Sequence, residues 1–138
     1  MTWRQSLIRI SNHEVETLQK RLAEIVDRRT QGEIKLTLLE AEVEAESRHA
    51  NANADAEASR RLVDFMRGVK VRRSILQAAL AAIVAEEAGA RDALTLAFES
   101  LKKFEQVAEL ARLADEKEAA RRETQALDEM GMRAAARR

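Results

Sequence analysis

SRHANANADAEAS, residues 47–59, interrupts an otherwise regular apolar pattern. Between Glu44 and Arg61 no apolar residue is larger than Ala. Asn51, Asn53 and Asp55 supply short polar side chains that hydrogen-bond nearby backbone, which favours caps and turns. The chain is expected to bend here, near residues 49–56. On either side, apolar residues recur at alternating steps of three and four. Before the bend, Ile8, Val15, Leu22, Leu36 and Val43 share one heptad position, and Leu18, Ile25 and Leu39 share the other. Ser11, Arg29, Gly32 and Glu46 interrupt that seam. After the bend, Met66, Leu80, Leu94, Leu101 and Ala108 hold one position, with Arg73 and Glu87 as breaks. Leu62, Val69, Leu76, Ile83, Ala90, Ala97, Phe104 and Ala111 hold the other without a break. Sustained repeats of this kind read as coiled coil, because each apolar knob needs a facing hole. Gly68 is the rival turn. It sits between Met66 and Val69, so a turn there would cut a continuous stripe, whereas one Gly inside a helix costs only about 1 kcal/mol.

The expected fold is therefore all-α. Two long helices, about 3–48 and about 57–132, form an antiparallel coiled-coil hairpin in a single domain spanning 1–138. Folding at 49–56 sets Val43 against Leu62, Leu39 against Met66, Leu36 against Val69, Ile25 against Leu80, Leu22 against Ile83, Val15 against Ala90 and Ile8 against Ala97. Arg73 then falls opposite Gly32, where the missing side chain leaves room for its stem. Leu18 opposite Glu87 has no physical account. In this register residue 1 faces residue 104, and the C-terminal helix overhangs from Glu105 onward. Val107, Ala108, Leu110, Ala111 and Leu113 continue the seam there, so they require an external partner.

Composition agrees with long helices: no Pro, four Gly, four aromatics (Trp3, Phe65, Phe98, Phe104) and many Ala, Glu, Arg and Leu. The 24 basic and 24 acidic residues balance, giving no bulk signal for nucleic acid or membrane. With no Cys there are no disulfides, thiol catalysis or thiolate metal sites. No segment approaches the roughly 20 apolar residues of a membrane span, and a cytoplasmic location is expected. His13 and His49 lack neighbours at metal spacing, no Gly-rich phosphate loop is present, and a two-helix rod offers no catalytic pocket. No enzymatic activity, cofactor, metal or small-molecule substrate is expected.

Charge is uneven along the chain. Residues 40–57 hold six acids against Arg48, and residues 60–73, RRLVDFMRGVKVRR, hold six bases against Asp64. The runs either pair across the hairpin or leave a basic surface for an acidic partner. Nucleic acid is the weaker alternative, because no groove-reading motif accompanies the run. Phe65 flanks the seam and reads either as a packing residue or as a docking anchor. The C-terminal LDEMGMRAAARR follows a charged helix in which Glu118 and Arg122 are well spaced for an ion pair. It is either a fraying end or a docking tip.

LDEMGMRAAARR resembles the end motif of the flagellar export family FliJ, through Leu127, Asp128, Glu129, Met130, Arg133, Ala134, Ala135 and Arg137. LKKFEQVAELARLADEKEAARRETQALDE is similar to that family's charged helix, and LVDFMRGVKVRRSILQAAL to the start of its second helix. The YscO proteins of virulence type III secretion are close behind. The resemblance implies a non-enzymatic protein like the central stalk of rotary ATPases. Such a protein inserts into the hexameric export ATPase FliI, promotes its assembly, binds the export gate FlhA and cycles export chaperones. It would lie at the cytoplasmic face of the inner membrane, held there indirectly through the export apparatus. The residues implied at the ATPase ring are Leu110, Leu113, Leu127, Asp128, Glu129, Met130, Met132, Arg133, Arg137 and Arg138. Those implied at the gate are Phe65, Val69 and Leu76, to which the basic run adds Arg72. A self-associating structural coiled coil is the alternative of a different class.

Overall fold

The computed structural model describes residues 2–53 and 55–138, and among these it contains two helices and no strand. Helix α1 spans Trp3–Ala52 and α2 spans Ala56–Ala136. Each start has a sequence cause. Thr2 and Gln5 form a reciprocal cap: the Gln5 backbone N–H donates to Thr2 Oγ1 at 3.3 Å, and the Thr2 N–H donates to Gln5 Oε1 at 2.9 Å. Asp55 caps α2, its Oδ1 accepting from the Ala58 N–H at 2.6 Å. At the end of α1, the backbone N–H and the side-chain amide of Asn53 both donate to the His49 carbonyl, at 3.1 and 3.2 Å. Asn53 and Asp55 thus act as the sequence suggests, while Asn51 belongs to the last turn of α1. Gly68 lies inside α2 and turns nothing.

The described residues fall into two compact units, Glu16–Thr95 and Met1–Val15 with Leu96–Arg138. In the first, Ile25, Leu39 and Val69 are buried, with Ile25 and Val69 at 1% and 0% exposure. All three are seam positions. Glu87, an interruption of the seam, is also buried. Its carboxylate accepts from Arg29 Nη1 at 2.6 Å and from Arg91 Nη2 at 2.9 Å. Cross-helix ion pairs join Arg28 to Glu86 at 2.7 Å, Arg73 to Glu40 at 2.7 Å and Arg72 to Glu42 at 3.4 Å. From Arg28 to Glu42 along α1 the partners run from Glu86 back to Arg72 along α2.

These pairs correct the expected register. Gly32 faces Leu80, whose Cδ1 lies 3.2 Å from where a Gly32 Cβ would stand, and not Arg73. The displacement is seven residues, one heptad. A heptad shift again sets one seam position against the other, so the heptad pattern permits both registers. The seam charges separate them. In the expected register Arg73 comes level with Glu33, one heptad before Glu40, but Glu87 meets Leu18 and keeps only Arg91 of its two arginine partners. In the observed register Glu87 holds both arginines, and Leu80 fills the space left by Gly32. Breaking a buried ion pair costs more than an imperfect apolar layer.

In the second unit Val15, Ala97, Leu101 and Ser11 are buried. Thr2, Arg4, Gln5 and Ile8 share a cleft with Glu105, Ala108, Glu109, Arg112 and Asp115. The start of α1 therefore reaches beyond Phe104, and residues 105–115 do not lie past its end as expected. Ala108 and Ala111 are half-buried accordingly.

The glycines test this packing. A Cβ at Gly68 or Gly89 meets nothing within 4 Å, whereas at Gly32 it presses on Leu80. Gly68→Ala and Gly89→Ala are each expected to raise stability by about 1 kcal/mol, the helix-propensity gain. Gly32→Ala should gain less, because the Leu80 tip must shift. Urea unfolding followed by circular dichroism measures all three.

Candidate partner-binding surfaces

No group of three or more His, Cys, Asp or Glu among the described residues is placed to hold a metal ion. A cleft of about 350 Å³ beside the α1–α2 link is lined by Glu46, His49, Ala50, Asn53, Asp55, Ala58, Arg61 and Leu62. His49 in it is engaged by the Asn53 amide at 3.3 Å. This is helix-end capping, with no nucleophile and base set against each other. The candidate sites are surfaces.

The first surface belongs to the unit Glu16–Thr95. Phe65, Val69, Arg72 and Leu76 all lie on α2, but not all are accessible. Val69 is fully buried and packs in the core, so it is unavailable to a partner in the folded helix pair. Its seam position explains this: an uninterrupted heptad column faces the other helix. Phe65 and Leu76 are half-buried. The Arg72 guanidinium lies 5.9 Å from the Phe65 ring centroid and 3.4 Å from Glu42. This geometry orients Arg72 over the ring and leaves it half exposed.

The heptad reading passed over the apolar residues that are most open. Val63, Val71 and Ile75 on α2, and Ile34 and Leu38 on α1, are each more than half exposed. The signal was present in the sequence. Val71, Ile75, Ala78 and Ala82 repeat at steps of four, three and four on the face away from the seam. Ile34, Leu38, Ala41 and Ala45 do the same on α1.

The second surface belongs to the other unit. Every described residue from Arg112 to Arg138 is exposed except Glu118, which is half-buried. Leu110, Leu113, Leu127, Met130 and Met132 stand in solvent, Met132 at 72%. Asp128, Glu129, Arg133, Arg137 and Arg138 are exposed as well. Residues 109–122 are braced along the helix. Arg112 binds Glu109 at 2.6 Å and also Glu116, and Glu118 accepts from Arg121 at 2.9 Å and Arg122 at 3.3 Å. The hydrogen bond from Arg112 holds the Glu109 carboxyl below its usual range. Beyond Arg122, none of the charged side chains named for this surface forms an ion pair among the described residues. The terminal helix thus combines a self-stabilised shaft with a tip of free charges and flexible apolar side chains. Helix α2 continues as far as Ala136.

Acid should loosen the first unit. Hydrogen bonding from Arg91, together with the charge of Arg29, lowers the Glu87 pKa. A lowered carboxylate pKa contributes stability above the unfolded value, about 4.3, and loses it as pH falls through the folded value. The unfolding midpoint is expected to be flat above about pH 5 and to drop below about pH 4. Glu87→Gln should make the acid limb shallower, as a thermal-melt series against pH would show.

The family model described as "Flagellar FliJ protein" matches residues 5–138. The chain is 50% identical over 134 residues to the flagellar FliJ protein of Caulobacter vibrioides strain NA1000 / CB15N, covering 97% of this chain and 95% of that protein. The counterpart from Caulobacter vibrioides strain ATCC 19089 / CIP 103742 / CB 15 matches to the same extent. No solved structure matches the chain.

Proposed function

The chain belongs to the flagellar FliJ family, and on that premise we propose that it is a non-enzymatic stalk and adaptor of a flagellar type III export apparatus. The proposed molecule is a single antiparallel coiled-coil hairpin whose C-terminal helix overhangs. Its tip enters the hexameric export ATPase FliI and promotes ring assembly, and a second surface links the ring to the export gate FlhA and to export chaperones. It works at the cytoplasmic face of the inner membrane and reaches the membrane only through the gate. The observation that carries this reading is the C-terminal helix, whose apolar and charged side chains, Glu118 apart, are exposed together from Leu113 to its end.

The division of labour follows from residue type. Leu110, Leu113, Leu127, Met130 and Met132 supply apolar contact, and Met in particular adapts to a ring of similar but unequal sites. Arg133, Arg137 and Arg138 meet carboxylates of the ring lumen, while Asp128 and Glu129 meet its bases. Each exposed pair contributes under about 1 kcal/mol, so binding needs several together and weakens with salt.

For the gate, Phe65, Arg72 and Leu76 remain the proposed contacts, widened by the exposed Val71 and Ile75. Val69 supports them from the core. Phe65→Ala together with Ile75→Ala should weaken gate binding at least tenfold in a titration with the gate's cytoplasmic domain, with helicity retained. Unchanged affinity in a folded double variant would remove the gate from the reading.

A further inference from the structure

We propose that α1 and α2 in the unit Glu16–Thr95 can pair in two registers one heptad apart, and that the buried ion pair of Arg29 with Glu87 locks the observed one. In the other register Val43 meets Leu62, Leu39 meets Met66, Ile25 meets Leu80 and Leu22 meets Ile83. Every one of these layers is apolar on both sides. The observed register gives up several of them. A seven-residue displacement sets Leu39 level with Arg73 and Ile25 level with Glu87, and Gly32 takes Leu80 at close range. Apolar layering alone therefore offers the alternative at little cost.

The observed register is held by charge. Glu87 is buried and bonded through both oxygens, to Arg29 at 2.6 Å and Arg91 at 2.9 Å. Arg73 makes two hydrogen bonds to Glu40, at 2.7 and 3.1 Å. The pairing of Glu87 with Arg91 lies within α2 and survives a slide, and Glu33, one heptad before Glu40, takes its place beside Arg73, but the pairing of Glu87 with Arg29 is lost. The link also permits the change. Unwinding residues 49–52 at the end of α1 lengthens the connection enough to lower the register by seven. The slide moves one helix along the other by about 10 Å, at about 1.5 Å per residue. It also carries the exposed Ile34–Leu38 and Val71–Ile75 faces past one another. Discrete jumps between equivalent packings are how packed helices transmit motion, since they do not deform continuously.

The chain contains no Cys, so engineered pairs report cleanly. Arg28 and Glu86, both about half exposed and 2.7 Å apart, mark the observed register. In the alternative, position 28 comes level with Ala79, which is also exposed. A short bifunctional maleimide should crosslink R28C/E86C rapidly and R28C/A79C at least tenfold more slowly. Both pairs are then placed in a background carrying Arg29→Leu and Glu87→Leu. Replacing seam charges by apolar residues of similar volume commonly preserves folding. The proposal expects R28C/A79C to crosslink in that background at a rate comparable with R28C/E86C. Crosslinking through R28C/E86C alone would overturn it. Loss of helical circular dichroism would overturn it too, because the charges would then be making the fold and not selecting its register.

Discussion

Removing residues 117–138 is expected to leave the thermal unfolding of the remaining chain nearly unchanged and to abolish stimulation of export ATPase ring assembly. The first half follows from burial. Apart from the half-buried Glu118, the removed residues are exposed, and their ion pairs are local to the helix that carries them. The cut falls after Asp115, so the cleft shared by Thr2, Gln5, Glu109 and Arg112 stays complete. The second half follows from what is removed: Leu127, Met130 and Met132 with five free charges around them. No single one of these dominates, so single substitutions such as Arg133→Ala should weaken assembly only a few fold. Calorimetry of the truncated chain and an assembly assay by light scattering give the two readings. A truncated chain that drives assembly at full strength would show that the terminal helix is not the ring-facing tip.

The largest effect on stability is expected at Ile25. It is 1% exposed, in the narrow core of two helices, where the register sets it level with the bonded Glu87. Ile25→Ala removes three methyl or methylene groups from a site with little material to refill it. The expected loss is about 2–5 kcal/mol. Ile34→Ala, on the outer face of the same helix, should change stability by no more than about 0.5 kcal/mol. Urea unfolding of the pair, monitored by helical circular dichroism, makes the comparison. Equal losses would mean that Ile34 is as buried as Ile25.

Much of the fold was legible because a heptad pattern is a burial map. Val15, Ile25, Leu39, Val69, Ala97 and Leu101 are all seam positions in the sequence, and all are buried. The interruptions Ser11 and Glu87 are buried with them. The register was not legible from the same pattern. A shift of one heptad again sets seam position against seam position, and the deciding information lay in residues read only as breaks. Arg29 with Glu87 and Glu40 with Arg73 become partners only once both helices are in place. The reach of α1 was misjudged for the same reason, since the start of the overhang was counted from that register. Val69 was legible and was misread: its heptad position made it core, and the family resemblance placed it on the surface. The outer Val71–Ile75 face lay in plain sequence, but a search for one seam does not look for a second stripe on the same helix. The TWRQ start, residues 2–5, likewise carries a capping box that needs no tertiary information.

The ion pairs that bridge the helices outside the core are of a different kind. Arg28 with Glu86 and Arg72 with Glu42 are about half exposed, so water and salt screen them. Each contributes little to the stability of the fold. The basic run 60–73 is thus only partly spent across the helix pair, through Arg72 and Arg73. Arg60, Arg61 and Lys70 remain exposed on the outside.

The central claim is that this chain joins an export ATPase to an export gate. Affinity capture from extract of a flagellated cell, with the full-length chain as bait, tests it most directly. Recovered proteins are identified by mass spectrometry at low and high salt. The account predicts that the ATPase and the gate protein are both recovered at low salt, with the ATPase lost first as salt rises. Recovery of further copies of the chain alone, with neither ATPase nor gate at any salt concentration, would contradict it and establish a self-associating coiled coil instead.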